Sequence, residues 1–183
     1  MTGQITSAMT VLLRPAADTD ADSLAIFAAR AFAESFGADN RPGDVARFLA
    51  ANYSRERQHR ELTDPAWTTI LAEDDHALAG FAQLRAGSPP AGVTGSAPLE
   101  LARFYVDAVW HGRGVAQRLM AATIASAVAR GARTLWLGVW EQNPRAIAFY
   151  EKCGFTDVGE KTFVVGTDVQ HDRVMARDLS VDA

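Results

Sequence analysis

Residues 99–120 read "LELARFYVDAVWHGRGVAQRLM". The first half predicts a strand whose apolar and polar positions alternate imperfectly. The second half sets Gly112 and Gly114 one residue apart, just ahead of a run from Val115 to Arg130 that predicts a helix, with Gly131 closing it. Glycine costs backbone entropy, so a pair placed there implies a sharp bend or the close approach of another molecule. Between Gly112 and Ala116 successive N–H groups can turn outward at the positive end of the helix dipole. That arrangement suits a phosphate or pyrophosphate.

The same alternation continues on either side. "TLWLGVW" (134–140) is a near-continuous apolar strand, as expected where both faces of a sheet are covered. The helical "NPRAIAFYEKCGF" (143–155) follows, and two closing strands are predicted near Thr156 to Val165 and His171 to Leu179. Upstream, a short apolar run ends at Pro15. The next helix carries Leu24, Phe27, Ala28, Ala31 and Ser35 at helical spacing and stops at Gly37. Helices are predicted near Pro42 to Ala51 and Ser54 to Leu62. "AWTTILAED" and "HALAGFAQLRAG" then form a hairpin around Glu73 to Asp75. "GSPPAGVTGSAP" (87–98) reads as a surface loop. The pattern predicts an α/β chain with a mixed sheet and helices on both faces.

With 183 residues, 48% of them hydrophobic, the chain suits one domain. That domain is expected over 10–183, after a flexible 1–9. A net charge of −4 argues against a general electrostatic grip on nucleic acid or an anionic membrane. It is compatible with a cationic substrate. The lone Cys153 forms no disulfide framework, and His59, His76, His111 and His171 lack ligand spacing, so no metal site is expected. Without a secretory leader or membrane span in view, the expected location is cytoplasmic.

Phosphate-binding loops of several kinds compete for "HGRGVA". A nucleoside-triphosphate loop ends in Lys-Ser/Thr, where this chain has Gln117-Arg118. The dinucleotide fingerprint matches only in part: its third glycine is absent, although Glu141 follows the next strand. The remaining reading is an acyl-coenzyme A site. Here "HGRGVA" resembles the Gln/Arg-x-x-Gly-x-Gly/Ala signature of the GNAT superfamily of N-acetyltransferases, with Gly114 and Ala116 in place and His111 departing from the first position. "NPRAIAFYEKCGF" resembles the superfamily's second segment at Asn143, Ala146, Phe149, Tyr150, Gly154 and Phe155. "LGVWEQNPRAIAFYEKCGF", "LELARFYV" and "FAESFG" look most like the PaiA-like polyamine acetyltransferases within it.

The resemblance implies a single-domain GNAT fold: a mostly antiparallel central sheet of about seven strands whose central members, 98–106 and 134–140, splay apart. It implies acetyl-coenzyme A as co-substrate. The pyrophosphate would meet the turn His111, Gly112, Arg113, Gly114, Val115, Ala116 and Gln117. The pantetheine arm would meet the backbone of Phe104, Tyr105 and Val106, with Asn143 and Tyr150 beside it. The Val106 amide would polarise the thioester carbonyl. The expected partner is a small amine, for instance a polyamine, with a protein or peptide amine as the alternative; a different class is a non-catalytic coenzyme A-binding regulatory module on the same fold. A homodimer is compatible with the family, although no dimer signature is visible.

Acetyl transfer to an amine poses two proton problems. A protonated alkylamine has a pKa of ~10 and must lose a proton before attack, and the departing thiolate needs one. Tyr150 matches the tyrosine that stands beside the sulfur in the family and would be the acid. Glu100, in the strand leading to the glycines, is the expected base, directly or through water. Glu141 is held in reserve, and Gly138 occupies another family location for a base and cannot serve. Cys153 is expected to pack rather than to carry an acyl group. The acceptor pocket is expected from the first two helices and the 87–97 loop, with Glu34, Asp39, Asp44 and Asp64 as carboxylates that could attract a cation.

Overall fold

The computed structural model describes residues 11–37, 40–75, 77–165 and 168–180. The expected flexible segment 1–9 and Asp39 lie outside these residues. The chain runs β1 (Leu12–Pro15), α1 (Ala21–Phe36), α2 (Pro42–Asn52), α3 (Arg55–Thr63), β2 (Trp67–Glu73), β3 (Leu78–Arg85) and β4 (Pro98–Val106). It continues through α4 (Val115–Ala129), β5 (Thr134–Trp140), α5 (Pro144–Lys152), β6 (Thr156–Val165) and β7 (Asp168–Asp178). The last strand begins earlier than the expected His171, because the β6–β7 pairing reaches back to Val165 opposite Asp168.

The strands form one sheet in the order β1-β2-β3-β4-β5-β7-β6. Only β4 and β5 pair in parallel, which is why the helix α4 must cross between them. On one face Leu119, Met120 and Ala127 of α4 bury against Leu135, Leu137 and Leu101. On the other, Leu24, Phe27, Ala28, Ala31 and Phe32 of α1 bury against Leu71 and Phe81. The helical stripe read from the sequence therefore holds up to Ala31, while Ser35 is exposed.

The imperfect alternation of β4 has a local cause. Opposite β3 the register shifts, so that Gln83 faces Arg103 and Leu84 faces Leu101, leaving Ala102 as an extra residue. This bulge resets which face each side chain takes. Leu99 and Leu101 before it and Phe104 and Val106 after it all pack into the α4 core, while Tyr105 joins the α1 core. A regular strand would have sent Phe104 and Val106 to the opposite face.

Segment 87–97 does not take part in the cleft on the α1 face, contrary to expectation. Val93 is buried with Trp136 and Val174, and Gly92 lies against the Val158 carbonyl so closely that a Cβ there would sit 2.1 Å from that oxygen. The loop is thus tied to the β5–β6–β7 side of the sheet.

Candidate active site

β4 and β5 pair only from Pro98 opposite Thr134 to Glu100 opposite Trp136. Beyond that point β4 follows β3 up to Val106 and β5 follows β7 up to Trp140, so a gap opens between them. The Asp107 N–H donates to the Ala79 carbonyl on β3. Strand alternation then turns the Phe104 and Val106 backbone groups the other way, toward the gap, and the backbone of Tyr105 toward Phe81. The His111 ring, whose Nε2 lies 3.0 Å from the Val106 carbonyl oxygen, confirms that direction. Of the three residues expected along the cofactor arm, Phe104 and Val106 offer their main chain to the gap and Tyr105 does not.

The glycine turn stands at the end of this gap. Gly112 and Gly114 have φ of 75° and 78°, in the left-handed region, and a Cβ on either would meet nothing within 4 Å. These glycines are therefore required by backbone conformation, with open space beside them. The first intrahelical bond of α4 runs from Arg118 N–H to the Gly114 carbonyl. The Val115, Ala116 and Gln117 amides have no acceptor within the helix, as an anion site needs. Arg113 stacks over Trp110 with its guanidinium carbon 5.5 Å from the ring centre. We expect Gly114→Ala to lose about 1–2 kcal/mol of stability, which lowers Tm by roughly 2–8 °C. Acetyl-coenzyme A affinity should fall with it, as isothermal titration would report.

A cleft of about 830 Å³ runs from His111 and Ala116 past the gap to α1 and α2. Tyr150 lines it beside Phe104 of β4. Its ring is held edge-on by Phe104, Phe149 and Phe155, at centroid separations of 6.3, 5.5 and 5.8 Å. Burial, with a smaller contribution from Cys153, pushes the Tyr150 phenol well above its ordinary value. It stays protonated throughout the working range. Asn143 caps α5, its side chain accepting from Ala146 N–H at 3.1 Å, and also lines the cleft. Cys153 is half-buried beside the core, its thiol pushed up by burial, a poor setting for a nucleophile.

Glu100 also faces the cleft and is 5% exposed. Its Oε2 accepts from Arg85 Nε at 2.8 Å and from Arg85 Nη2, while Lys161 Nζ stands 3.9 Å from Oε1. The carboxylate therefore meets two cations before any substrate. Glu141 is not part of the cleft lining. Of the other expected carboxylates, Glu34 lines the cleft and pairs with Arg30. Asp44 is buried against Arg47, and Asp64 accepts from Ala66 N–H.

The structure adds residues that sequence reasoning missed. Arg103 lines the cleft with little of its side chain exposed, bound to Glu61 of α3 and donating to Gln83 at 2.6 Å. Arg57 holds the other oxygen of Glu61 at 2.6 Å. Across the gap, Lys161 of β6 and Asp172 of β7 lie over Gly138. An ideal Cβ on Gly138 would be 2.7 Å from Lys161 Nζ and 3.0 Å from Asp172 Oδ2. The sequence signal was Gly138 itself, a glycine in the middle of an apolar strand, which marks a close approach by something else.

A sheet split between parallel central strands, with a glycine turn and a helix start at the mouth of the split, offers an anion site beside a slot edged by main-chain groups. Residues 28–155 match the acetyltransferase (GNAT) family, and the chain belongs to it. An uncharacterised N-acetyltransferase of Mycobacterium tuberculosis is 38% identical over 161 residues, 88% of this chain and 99% of that protein. The PaiA N-acetyltransferase of Thermoplasma acidophilum, solved with coenzyme A, superposes with a TM-score of 0.75 at 18% identity over 93% of this chain and 99% of that one. The ribosomal-protein-S18-alanine N-acetyltransferase of Escherichia coli gives a TM-score of 0.69 at 19% identity, covering 93% and 95%. The protein is a GNAT-type N-acetyltransferase that uses acetyl-coenzyme A. The residues present fit that co-substrate: an anion-ready turn, main-chain groups without strand partners along the gap, and a tyrosine lining the cleft beside Phe104.

Proposed function

We propose that the protein acetylates a primary amine of a small molecule by direct transfer in a ternary complex. The observation that carries this reading is the gap between β4 and β5, which has Tyr150 beside Phe104 and buried carboxylates along the same cleft. Acetyl-coenzyme A supplies an activated acetyl group. The His111–Gln117 turn, Phe104, Val106 and Asn143 bind and orient it, with the Val106 amide available to the acyl oxygen. Tyr150 donates a hydrogen bond to the departing sulfur. Because its phenol is a weaker acid than a thiol of pKa about 8.5, that donation precedes any full proton transfer.

A polyamine is the acceptor we propose first, supported by fold likeness to a PaiA enzyme and by Glu34, Glu100 and Asp172 along one cleft. Arg30, Arg57, Arg85, Arg103 and Lys161 line the same walls, so the cleft suits one ammonium end rather than a long polycation. Those arginines favour, as a second reading, a peptide amine whose carbonyls they could hold. The test is thiol release from acetyl-coenzyme A across spermidine, spermine, amino acids, aminoglycosides and short peptides. Saturable release with a small amine is expected, and saturation by peptides alone would move the acceptor to the second reading. Release with none of them would refute the small-amine proposal.

A further inference from the structure

Asp172 stands apart among the carboxylates of the cleft. It is more than nine-tenths buried, lines the cleft, and accepts no hydrogen bond from a described residue. Every comparable group nearby is engaged: Glu100 by Arg85, Glu61 by Arg57 and Arg103, Glu34 by Arg30, and Asp107 by Arg30 at 2.6 Å. A carboxylate that has no donor among the described residues and lines a substrate channel is where a donor from the substrate would bind.

Its placement follows from the sheet. Asp172 is the cross-strand partner of Trp140 on β5 and of Lys161 on β6. With no side chain on Gly138, its Oδ2 leans over β5 at the point where β4 has already turned away. The space that a side chain at residue 138 would have filled holds the end of the Lys161 side chain and, beside it, Asp172 Oδ2, so a carboxylate from β7 reaches the edge of the gap. We propose that Asp172 takes the proton from the acceptor ammonium in this enzyme, a role that rests on the acetyl-transfer reading above. One N–H bond of the ammonium breaks and its proton passes to Asp172 Oδ2. The freed nitrogen lone pair bonds to the acetyl carbon as the carbon–sulfur bond breaks. The sulfur gains a proton from the Tyr150 side, which is restored by the second proton lost from nitrogen, and Asp172 returns its own to water.

The surrounding charges set the working range. Burial raises the Asp172 carboxyl above its ordinary value, and the Lys161 ammonium pulls it back down. Glu100 with Arg85, Glu34 and Arg57 face the same cleft from β4, β3, α1 and α3, and the flanking β5 residues Gly138 and Trp140 add no charge. A base acts deprotonated, so activity rises as pH climbs through its pKa, here above the ordinary carboxylate value of about 4.

The experiment compares Asp172→Asn and Glu100→Gln with wild type on two acceptors, an alkylamine and a weakly basic hydrazide that is neutral at pH 7. With the alkylamine, Asp172→Asn should lose about 10²–10⁴ in kcat/KM near neutrality. Its profile should climb about tenfold per pH unit toward the amine pKa, where wild type has already levelled off. With the hydrazide the loss should shrink to within about tenfold, because no proton need be taken first. Equal losses on both acceptors would make Asp172 structural, and transfer of the pH effect to Glu100→Gln would assign the role there. Either result overturns the proposal. A ¹³C carboxyl titration of the whole protein, assigned with Asp172→Asn, reads the group without turnover. Titration of Asp172 in the ordinary range would overturn the proposal even were every acceptor inert, whereas inert acceptors alone would count against the acetyl-transfer reading.

Discussion

Replacing Tyr150 by Phe lowers kcat by about 10²–10⁴ while leaving acetyl-coenzyme A affinity within about threefold. The asymmetry follows from what the substitution removes. The ring is wedged among Phe104, Phe149 and Phe155, and Phe keeps that packing. Only the hydroxyl, on a residue that lines the cleft, is lost. A donor that acts on sulfur as negative charge develops matters little to a bound thioester and much to the transition state. Steady-state kinetics beside a binding titration separate the two. Unchanged turnover would remove Tyr150 from the proton path, and equal losses in binding and turnover would mean that the hydroxyl serves only to hold the ligand.

Arg103→Ala is expected to lower stability by about 3 kcal/mol, a Tm decrease of roughly 6–12 °C. Arg103 connects the cleft floor to α3, and its guanidinium also lies 4.9 Å from the centre of the Tyr53 ring. Truncation strands Glu61, whose side chain is 3% exposed, with Arg57 as its remaining cation. That surviving partner keeps the loss at the lower end of the range for broken buried pairs. The double variant Arg103→Met, Glu61→Met should regain most of the loss, since an apolar replacement of both partners leaves no buried charge unmatched. Thermal unfolding of the single and double variants decides it, and a single variant as stable as wild type would show the pair to be unimportant.

Much of this architecture was legible because it is carried by local signals. The glycine turn, the apolar stripe of α1 and the near-continuous apolar run of β5 each announce their geometry within about ten residues. The features that escaped are non-local or conceal themselves in a pattern. The bulge at Ala102 made β4 look irregular, yet only the register against β3 shows which residue is extra. Loop 87–97 looked like a pocket wall, because nothing in its composition reveals that Val93 docks beside Trp136. Asp172 was invisible as a site residue. It reaches Gly138 only because β5 and β7 are neighbours in the sheet, a pairing that local patterns do not specify. Glu100 was singled out for its place in β4, and its engagement by Arg85 required the β3–β4 register to be known.

The central claim is direct transfer between two substrates held together at the β4–β5 gap. Initial rates measured over a grid of acetyl-coenzyme A and amine concentrations, with intact-protein mass spectrometry on enzyme incubated with acetyl-coenzyme A alone, test it. Intersecting reciprocal plots and an unmodified Cys153 are the predicted result. Parallel plots together with an acetyl group on Cys153 would contradict it and move the chemistry from the gap to a covalent enzyme intermediate.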